Sequence, residues 1–489
     1  MLPFQTLISL HRKASTPVYQ QIANGLITQI RDGVIQPGSA LPGSRQMASI
    51  LDVHRKTVEA AYQELFIQDW IEVIPRKGVI VSQKLPEIKP RSFKEKAQGN
   101  AYGPAAPFSF HHFGIPASYL VKRDNSLLAI NDGFPDARIA PLEILLREYR
   151  RLARLAASRP ALLRGEQSGS FQLRSAITSF LAETRGMSFS ADNVLVSRGA
   201  QMAIYMAARL LIQPGAEVLV GKPSYFMADE IFRQFGARLI RVPMDDNGMD
   251  VDFIGDYCRK KRPALLYIIP HHHHPTTVTL SAERRMKLLQ IIRHYQFPVI
   301  EDDYDYDFHY SGGPILPLAS AGHDGNVIYI GSLTKSLAPS LRVGYMVASQ
   351  DFVQEASHLR RMIDIRGDNL LEESLAVLFR EGDMQRHLKK SVKLYHQRRD
   401  LLCSLLEREL PDIVSFTKPQ GGLALWLKFN EKYPLPGIAA RAARNGLTMT
   451  DGQMYGSEGE HYNAFRFGFA SLNEVEMEKV IARLRLSIS

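Results

Sequence analysis

The sequence predicts a multidomain α/β protein: a small basic helical module at the N-terminus, then a long region built on a mainly parallel sheet. Three observations carry this reading. The chain has 489 residues, 45% hydrophobic and 22% charged, enough for at least two well-buried domains. Apolar runs at Val194-Leu195-Val196, Val218-Leu219-Val220, Leu265-Leu266-Tyr267-Ile268-Ile269, Pro298-Val299-Ile300 and Val327-Ile328-Tyr329-Ile330 alternate with helical stretches such as 201–211 and 282–295. Near-continuous strands separated by helices are the mark of a parallel sheet covered on both faces. Finally, residues 1–96 hold thirteen Lys/Arg against eight Asp/Glu, half of the formal net charge of +10, as a polyanion-binding module requires.

Two cysteines, Cys258 and Cys403, stand apart from each other and from any Cys/His cluster, so neither a disulfide framework nor a zinc site is expected. The first eight residues lack a basic segment ahead of an apolar core, and no later run approaches the ~18 apolar residues of a membrane span. The expected setting is the reducing cytoplasm.

In chain order, Thr16-Pro17 reads as an N-cap followed by proline at the first helical position. Val18, Ile22, Leu26 and Ile30 then recur on one helical face, and Gly33 with Pro37-Gly38 ends the helix. A second helix follows over 45–51, a tight turn at Asp52-Val53, and a third helix over 54–68. Two helices joined so closely form a helix-turn-helix, whose second helix presents His54, Arg55, Lys56 and Thr57 to a DNA major groove. The strands Ile71-Glu72-Val73-Ile74 and Val79-Ile80-Val81 flank Pro75-Arg76-Lys77-Gly78, a basic hairpin tip suited to phosphates or the minor groove. The resulting domains are 1–82, a Pro/Gly-punctuated basic linker at 83–123, and 124–489.

Ligands of a parallel sheet are expected at the strands' C-terminal ends, and the polar motifs fall there. Ser197-Arg198-Gly199-Ala200-Gln201 leaves a strand and opens a helix, a site for an anion on free backbone N–H groups. Tyr225, after the next strand, can stack on a flat ring. Glu301-Asp302-Asp303-Tyr304 places acids at a strand end, where Asp302 can pair with a protonated ring nitrogen and Tyr304 can donate to a ring oxygen. Ser332-Leu333-Thr334-Lys335 with Arg342 offers an amine that can form a Schiff base with a carbonyl, and a hydroxyl and guanidinium that can hold a phosphate. Four consecutive histidines, His271 to His274, alternate faces on an extended segment and so do not converge on one metal ion.

These motifs carry two resemblances. Leu41-Pro42-Gly43-Ser44-Arg45, Val53-His54-Arg55-Lys56-Thr57-Val58 and Ala60-Ala61-Tyr62-Gln63-Glu64-Leu65 resemble the GntR-type winged helix-turn-helix family. That likeness implies DNA contacts at Arg45, His54, Arg55, Lys56, Thr57, Arg76, Lys77 and Gly78. Over roughly 125–489, the chain resembles the fold type I, aminotransferase-like pyridoxal phosphate proteins. The carriers are Arg164-Gly165-Glu166-Gln167-Ser168-Gly169, the five motifs above, and Phe465-Arg466-Phe467-Gly468-Phe469.

The second resemblance implies pyridoxal 5'-phosphate held by Lys335 as an internal aldimine, with Asp302 and Tyr304 on its ring. It places Gly199, Ala200, Gln201, Ser332 and Arg342 at the phosphate, Tyr225 on the ring face, and Arg466 on a substrate carboxylate. The fusion is that of the MocR family of bacterial transcription regulators. Membership implies operator DNA, an amino acid, amine or cofactor as effector, a head-to-tail homodimer, and at most partial transamination. The sequence departs from the pattern at His271 to His274, at Arg164 where a tyrosine is common, and at Met227 where an arginine is common. Two other classes stay open: a working aminotransferase with an accessory DNA-binding domain, and a cofactor-free repressor whose second domain only dimerises.

Overall fold

A computed structural model describes residues 2–75, 78–87, 105–106, 108–110, 128–155, 165–310, 312–313, 315–456 and 461–488. The chain divides into two compact units, Met1–His112 and Phe113–Ser489. Arg76, Lys77, Arg164 and most of the 83–123 segment lie outside the described residues.

In the first unit a short helix, Phe4–Leu7, and three longer ones, α1 (Val18–Arg31), α2 (Ser44–Leu51) and α3 (Arg55–Ile67), precede strands β1 (Ile71–Ile74) and β2 (Gly78–Val81). Pro17 does not take the first helical position. Its ψ of 143° is extended, so it is the N-cap residue and Val18 opens the helix. Ile22, Leu26 and Ile30 of α1 pack with Val58, Ala61 and Leu65 of α3 in one apolar core; fully burying each of the Ile, Leu and Val side chains contributes roughly 1.5–3 kcal/mol. Asp52 makes the turn between α2 and α3 in the left-handed region, at φ 50°, where Asp is among the few tolerated non-glycine residues. Arg12 clamps that turn, donating to both the Asp52 carbonyl and its carboxylate at 2.7 and 2.8 Å. β1 and β2 pair antiparallel, Ile71 opposite Val81.

The second unit is organised on an eight-stranded sheet. Its strands are β3 (Val194–Ser197), β4 (Glu217–Lys222), β5 (Arg238–Asp245), β6 (Gly248–Met249), β7 (Leu265–Ile268), β8 (Val299–Asp303), β9 (Val327–Ser332) and β10 (Gly344–Val347). The spatial order is β3-β10-β9-β8-β7-β4-β5-β6. From β9 through β5 all neighbours are parallel; β10 runs antiparallel between β9 and β3, and β6 turns back on β5. The mainly parallel sheet is therefore as the alternation of runs predicts. Helices α4 (Ala200–Leu211), α5 (Phe226–Gln234) and α6 (Ala282–Tyr295) connect its strands. A second sheet, β11 (Val414–Ser415), β12 (Ala424–Phe429) and β13 (Ala464–Gly468), is antiparallel, with Trp426 opposite Arg466.

Strand β8 runs further than the apolar run Pro298-Val299-Ile300 indicates. It takes in Glu301, Asp302 and Asp303, all buried, because each acid has an internal partner. Glu301 accepts from the Leu318 and Ala319 N–H groups, Asp302 from Tyr267, and Asp303 from Tyr329. No helix among the described residues is long and apolar enough to cross a membrane.

Candidate cofactor site and DNA-facing surface

The C-terminal ends of β3, β8 and β9 converge on one polar site. Lys335 leaves β9 in a tight turn and is largely buried. Its Nζ donates to the Gly133 carbonyl at 2.7 Å and lies 4.6 Å from the centre of the Phe134 ring. Burial, which penalises the charged amine, brings its pKa down from 10.5 to about 8.

Asp302 faces the same space. Its Oδ2 accepts from Tyr267 at 2.7 Å, whereas its buried Oδ1 has no hydrogen-bond partner among the described residues. Burial pushes this carboxyl up to about 7, against the Tyr267 hydrogen bond and the Lys335 charge, which both oppose the rise. An unpartnered, buried carboxylate oxygen is expensive. Its geometry fits a ligand that brings a charged N–H.

An anion cradle sits at the start of α4. Gly199 is the N-cap residue, at φ 82°, a backbone conformation natural only to glycine. A Cβ on it would lie 2.7 Å from Arg342 Nη2. Gly344 is equally confined, since its Cβ would come within 2.6 Å of the Gly199 carbonyl carbon. The two glycines thus let the Arg342 guanidinium lie against the helix N-terminus, donating to the Arg198 carbonyl at 3.3 Å. The N–H groups of a helix start beside a guanidinium suit an anion. Ala200 and Gln201 form the first turn of that helix, and Ser332 Oγ accepts from Thr334 N at 3.2 Å.

Tyr225 is the N-cap residue of α5 and meets the His274 ring edge-on at a centroid distance of 4.9 Å. Tyr304 donates to the His272 carbonyl at 3.0 Å and accepts from Arg466 Nη2 at 3.2 Å. Arg466, buried on β13, reaches the Pro275 carbonyl with Nη1 at 3.4 Å. Lys335, Asp302, Tyr304 and Arg466 are thus brought together, with Gly199 and Arg342 forming the anion cradle. The four histidines do not share a partner: His271 meets Asp303, His272 meets Asp305, His273 meets Thr276 and His274 meets Asp132.

Several residues of the site escape sequence reasoning. Tyr267 holds Asp302 but reads as an ordinary apolar-strand position. The loop Asn131-Asp132-Gly133-Phe134 supplies the Lys335 acceptor and a carboxylate for Arg466, yet it belongs to no periodic element. It is pinned from both ends. Asn131 Oδ1 accepts from the Gly133 and Phe134 N–H groups at 3.0 and 2.8 Å, and the Asn131 carbonyl accepts from Gly468 N at 2.8 Å.

In the first unit, Arg45, His54, Arg55 and Lys56 are exposed around the start of α3, with Thr57 half-buried. His54 is not wholly free: its Nδ1 caps the helix, accepting from Lys56 N at 3.2 Å. Arg55 pairs with Glu59 at 2.7 Å. Gly78 is exposed, at φ 89°.

Together these features define a class: a GntR-type winged helix-turn-helix followed by a fold type I, aminotransferase-like α/β unit. The chain belongs to the aminotransferase class I and II family, whose profile matches residues 127–484. Residues 18–81 match the gntR family of bacterial regulatory proteins.

Among its relatives is an uncharacterized HTH-type transcriptional regulator, YdfD, of Bacillus subtilis strain 168, 27% identical over 96% of each chain. Another is the probable rhizopine catabolism regulatory protein MocR of Rhizobium meliloti, 28% identical over 86% of this chain and 84% of that one. A similar solved structure is the kynurenine aminotransferase of Pyrococcus horikoshii in complex with PMP, 27% identical. It has a TM-score of 0.69 over 76% of this chain and 92% of that chain.

Proposed function

We propose that this chain is a MocR-type transcription regulator: its N-terminal unit binds operator DNA, and its second unit holds pyridoxal 5'-phosphate at Lys335 to sense a small amine, an amino acid or the cofactor itself. The observation that carries the reading is a largely buried amine, Lys335, in the same site as an Asp302 Oδ1 that has no partner among the described residues, in a chain that opens with a helix-turn-helix. When bound, pyridoxal phosphate supplies a carbonyl for a primary amine and a protonated ring nitrogen.

The residues fit the group. Asp302 Oδ1 lacks the N–H that such a nitrogen would bring, and the Gly199–Arg342 cradle suits its phosphate. Lys335, with its pKa brought down to about 8 by burial, is about one tenth uncharged near neutrality, far more than an ordinary lysine, and can act as a nucleophile. Tyr267 orients Asp302, and Tyr304 turns its hydroxyl proton from the His272 carbonyl to a ring oxygen. Gly199, Ala200, Gln201, Ser332 and Arg342 bind the phosphate, and Tyr225 covers the ring.

On the DNA side, Arg45, Arg55, Lys56, Thr57 and the free edge of His54 read or clamp the duplex, with Arg76, Lys77 and Gly78 at the wing. The division is 1–82 for DNA, 83–123 as tether and 124–489 for the effector. The protein works in the cytoplasm as a head-to-tail homodimer. Effector binding changes DNA affinity only through different affinities for the two states of that dimer. The intact set around Lys335 also leaves room for slow transamination.

The test is binding of full-length protein to its own upstream DNA, with and without pyridoxal phosphate and a panel of amines and amino acids. Specific binding that the cofactor or an effector alters supports the reading. No binding at moderate salt refutes the regulator. Protein that stays colourless with pyridoxal phosphate, or colour retained by Lys335→Ala, refutes the sensor.

A further inference from the structure

The buried guanidinium of Arg466, the cation best placed to receive a ligand's carboxylate, already faces a carboxylate of this chain. Asp132 Oδ1 lies 3.1 Å from Arg466 Nε. The contact is a charge pair and not an aimed hydrogen bond, for the Nε proton has no hydrogen-bond acceptor among the described residues. Asp132 is fixed there by two further groups, His274 Nε2 at 2.7 Å on Oδ2 and the Tyr455 hydroxyl, which donates to Oδ1 at 3.1 Å. The loop that carries it is tied to β13 through Gly468, two residues from Arg466. A Cβ on Gly468 would meet the Asn131 carbonyl at 2.5 Å, so only glycine there admits so close an approach.

The charges decide what the site accepts. Burial alone would raise the Asp132 carboxyl, but the His274 hydrogen bond and the Arg466 and Lys335 charges hold it below the usual carboxylate range. Burial lowers the His274 pKa, leaving a neutral ring that donates Nε2–H to the carboxylate. Asp132 and Arg466 therefore balance each other. About a third of the Asp132 side chain, 32%, stays accessible against 1% for Arg466, so an incoming ligand meets the carboxylate before the guanidinium. A second carboxylate would enter beside a like charge, with no unmatched cation on Arg466 to receive it.

We propose that Asp132 is a specificity-determining residue that closes the Arg466 receptor, so that the ligand sensed at Lys335 is a primary amine without an α-carboxylate. The inference rests on the reading of Lys335 as the cofactor lysine.

The test uses full-length protein loaded with pyridoxal phosphate and the matched pair n-butylamine and L-norvaline, which differ only by the α-carboxylate. Calorimetric titration should give n-butylamine the tighter binding by about tenfold or more, with Asp132→Asn shrinking or inverting that ratio. Norvaline binding as tightly as the amine overturns the inference, as does an unchanged ratio in D132N. The wild-type ratio needs no variant, so a D132N chain that failed to fold would leave that arm decisive. A chain that takes up no pyridoxal phosphate overturns this inference together with the cofactor reading. Uptake followed by a preference for norvaline overturns this inference alone.

Discussion

Replacing Asp302 by asparagine should make the cofactor-free protein more stable, and increasingly so as pH rises. The Asp302 carboxyl is raised from 3.8 to about 7, chiefly by burial. Between those values the folded chain holds a proton that the unfolded chain has released. Stability therefore falls as pH climbs through this window and is flat on either side. At pH 8 the gap amounts to about 4 kcal/mol set against the fold, of which roughly 3 kcal/mol accrues above pH 5. An asparagine carbonyl still accepts from Tyr267 but has nothing to ionise. The neighbouring Glu301, raised to about 8 by burial, titrates in both chains and cancels in the difference. Thermal unfolding of both proteins without cofactor should show Asp302→Asn gaining on wild type by several degrees from pH 5 to pH 8. With pyridoxal phosphate the order should reverse, because a protonated ring nitrogen pairs with the ionised carboxylate and not with the amide. A difference in midpoint that ignores pH would refute the assignment of a raised carboxyl at Asp302.

Other outcomes follow from the same geometry. Uptake of pyridoxal phosphate, followed by absorbance, should quicken with rising pH with its midpoint near pH 8, where the Lys335 amine is half deprotonated, and level off above it; a rise that continues past pH 10 would mean an ordinary, solvated lysine. Arg342→Ala removes the guanidinium that lies on Gly199, and should weaken cofactor binding by roughly ten- to a hundredfold, as loss of a charged hydrogen bond does; unchanged affinity by equilibrium dialysis would place the phosphate elsewhere. Arg55→Ala should reduce the salt dependence of operator binding by about one phosphate contact, measured as the slope of log affinity against log salt; an unaltered slope would show that Arg55 stays with Glu59 and does not engage DNA.

Most of the sheet was legible because its central strands are buried on both faces, which forces unbroken apolar runs such as Val327-Ile328-Tyr329-Ile330. The polar positions at the strand ends were legible for the complementary reason. A lysine or aspartate placed where a buried strand stops breaks the pattern and calls for a partner. The same logic under-read β8, where three acids continue the strand. Each is buried against a group contributed by a distant segment, and pairing of that kind has no local signature. Residues 344–347 form a strand as well, antiparallel between two others, and a four-residue apolar run offers no clue to direction.

Arg466 shows where the limit lies. Its place among aromatic residues on Phe465-Arg466-Phe467 marks it as a buried cation, and a buried cation needs a counter-charge. The sequence pattern leaves that counter-charge to a ligand. The fold supplies it from Asp132, far earlier in the chain, in a loop whose Asn, Asp and Gly residues read only as a turn. The loop gets there because Asn131 caps its own turn and Gly468 lets the two backbones touch. A charge that is matched within the chain no longer selects for a ligand's charge. What the site recognises therefore depends on a contact between Gly468, two residues beyond the arginine, and Asn131, more than three hundred residues earlier, and exchanging Asp132 for a neutral residue should return the arginine to carboxylate recognition.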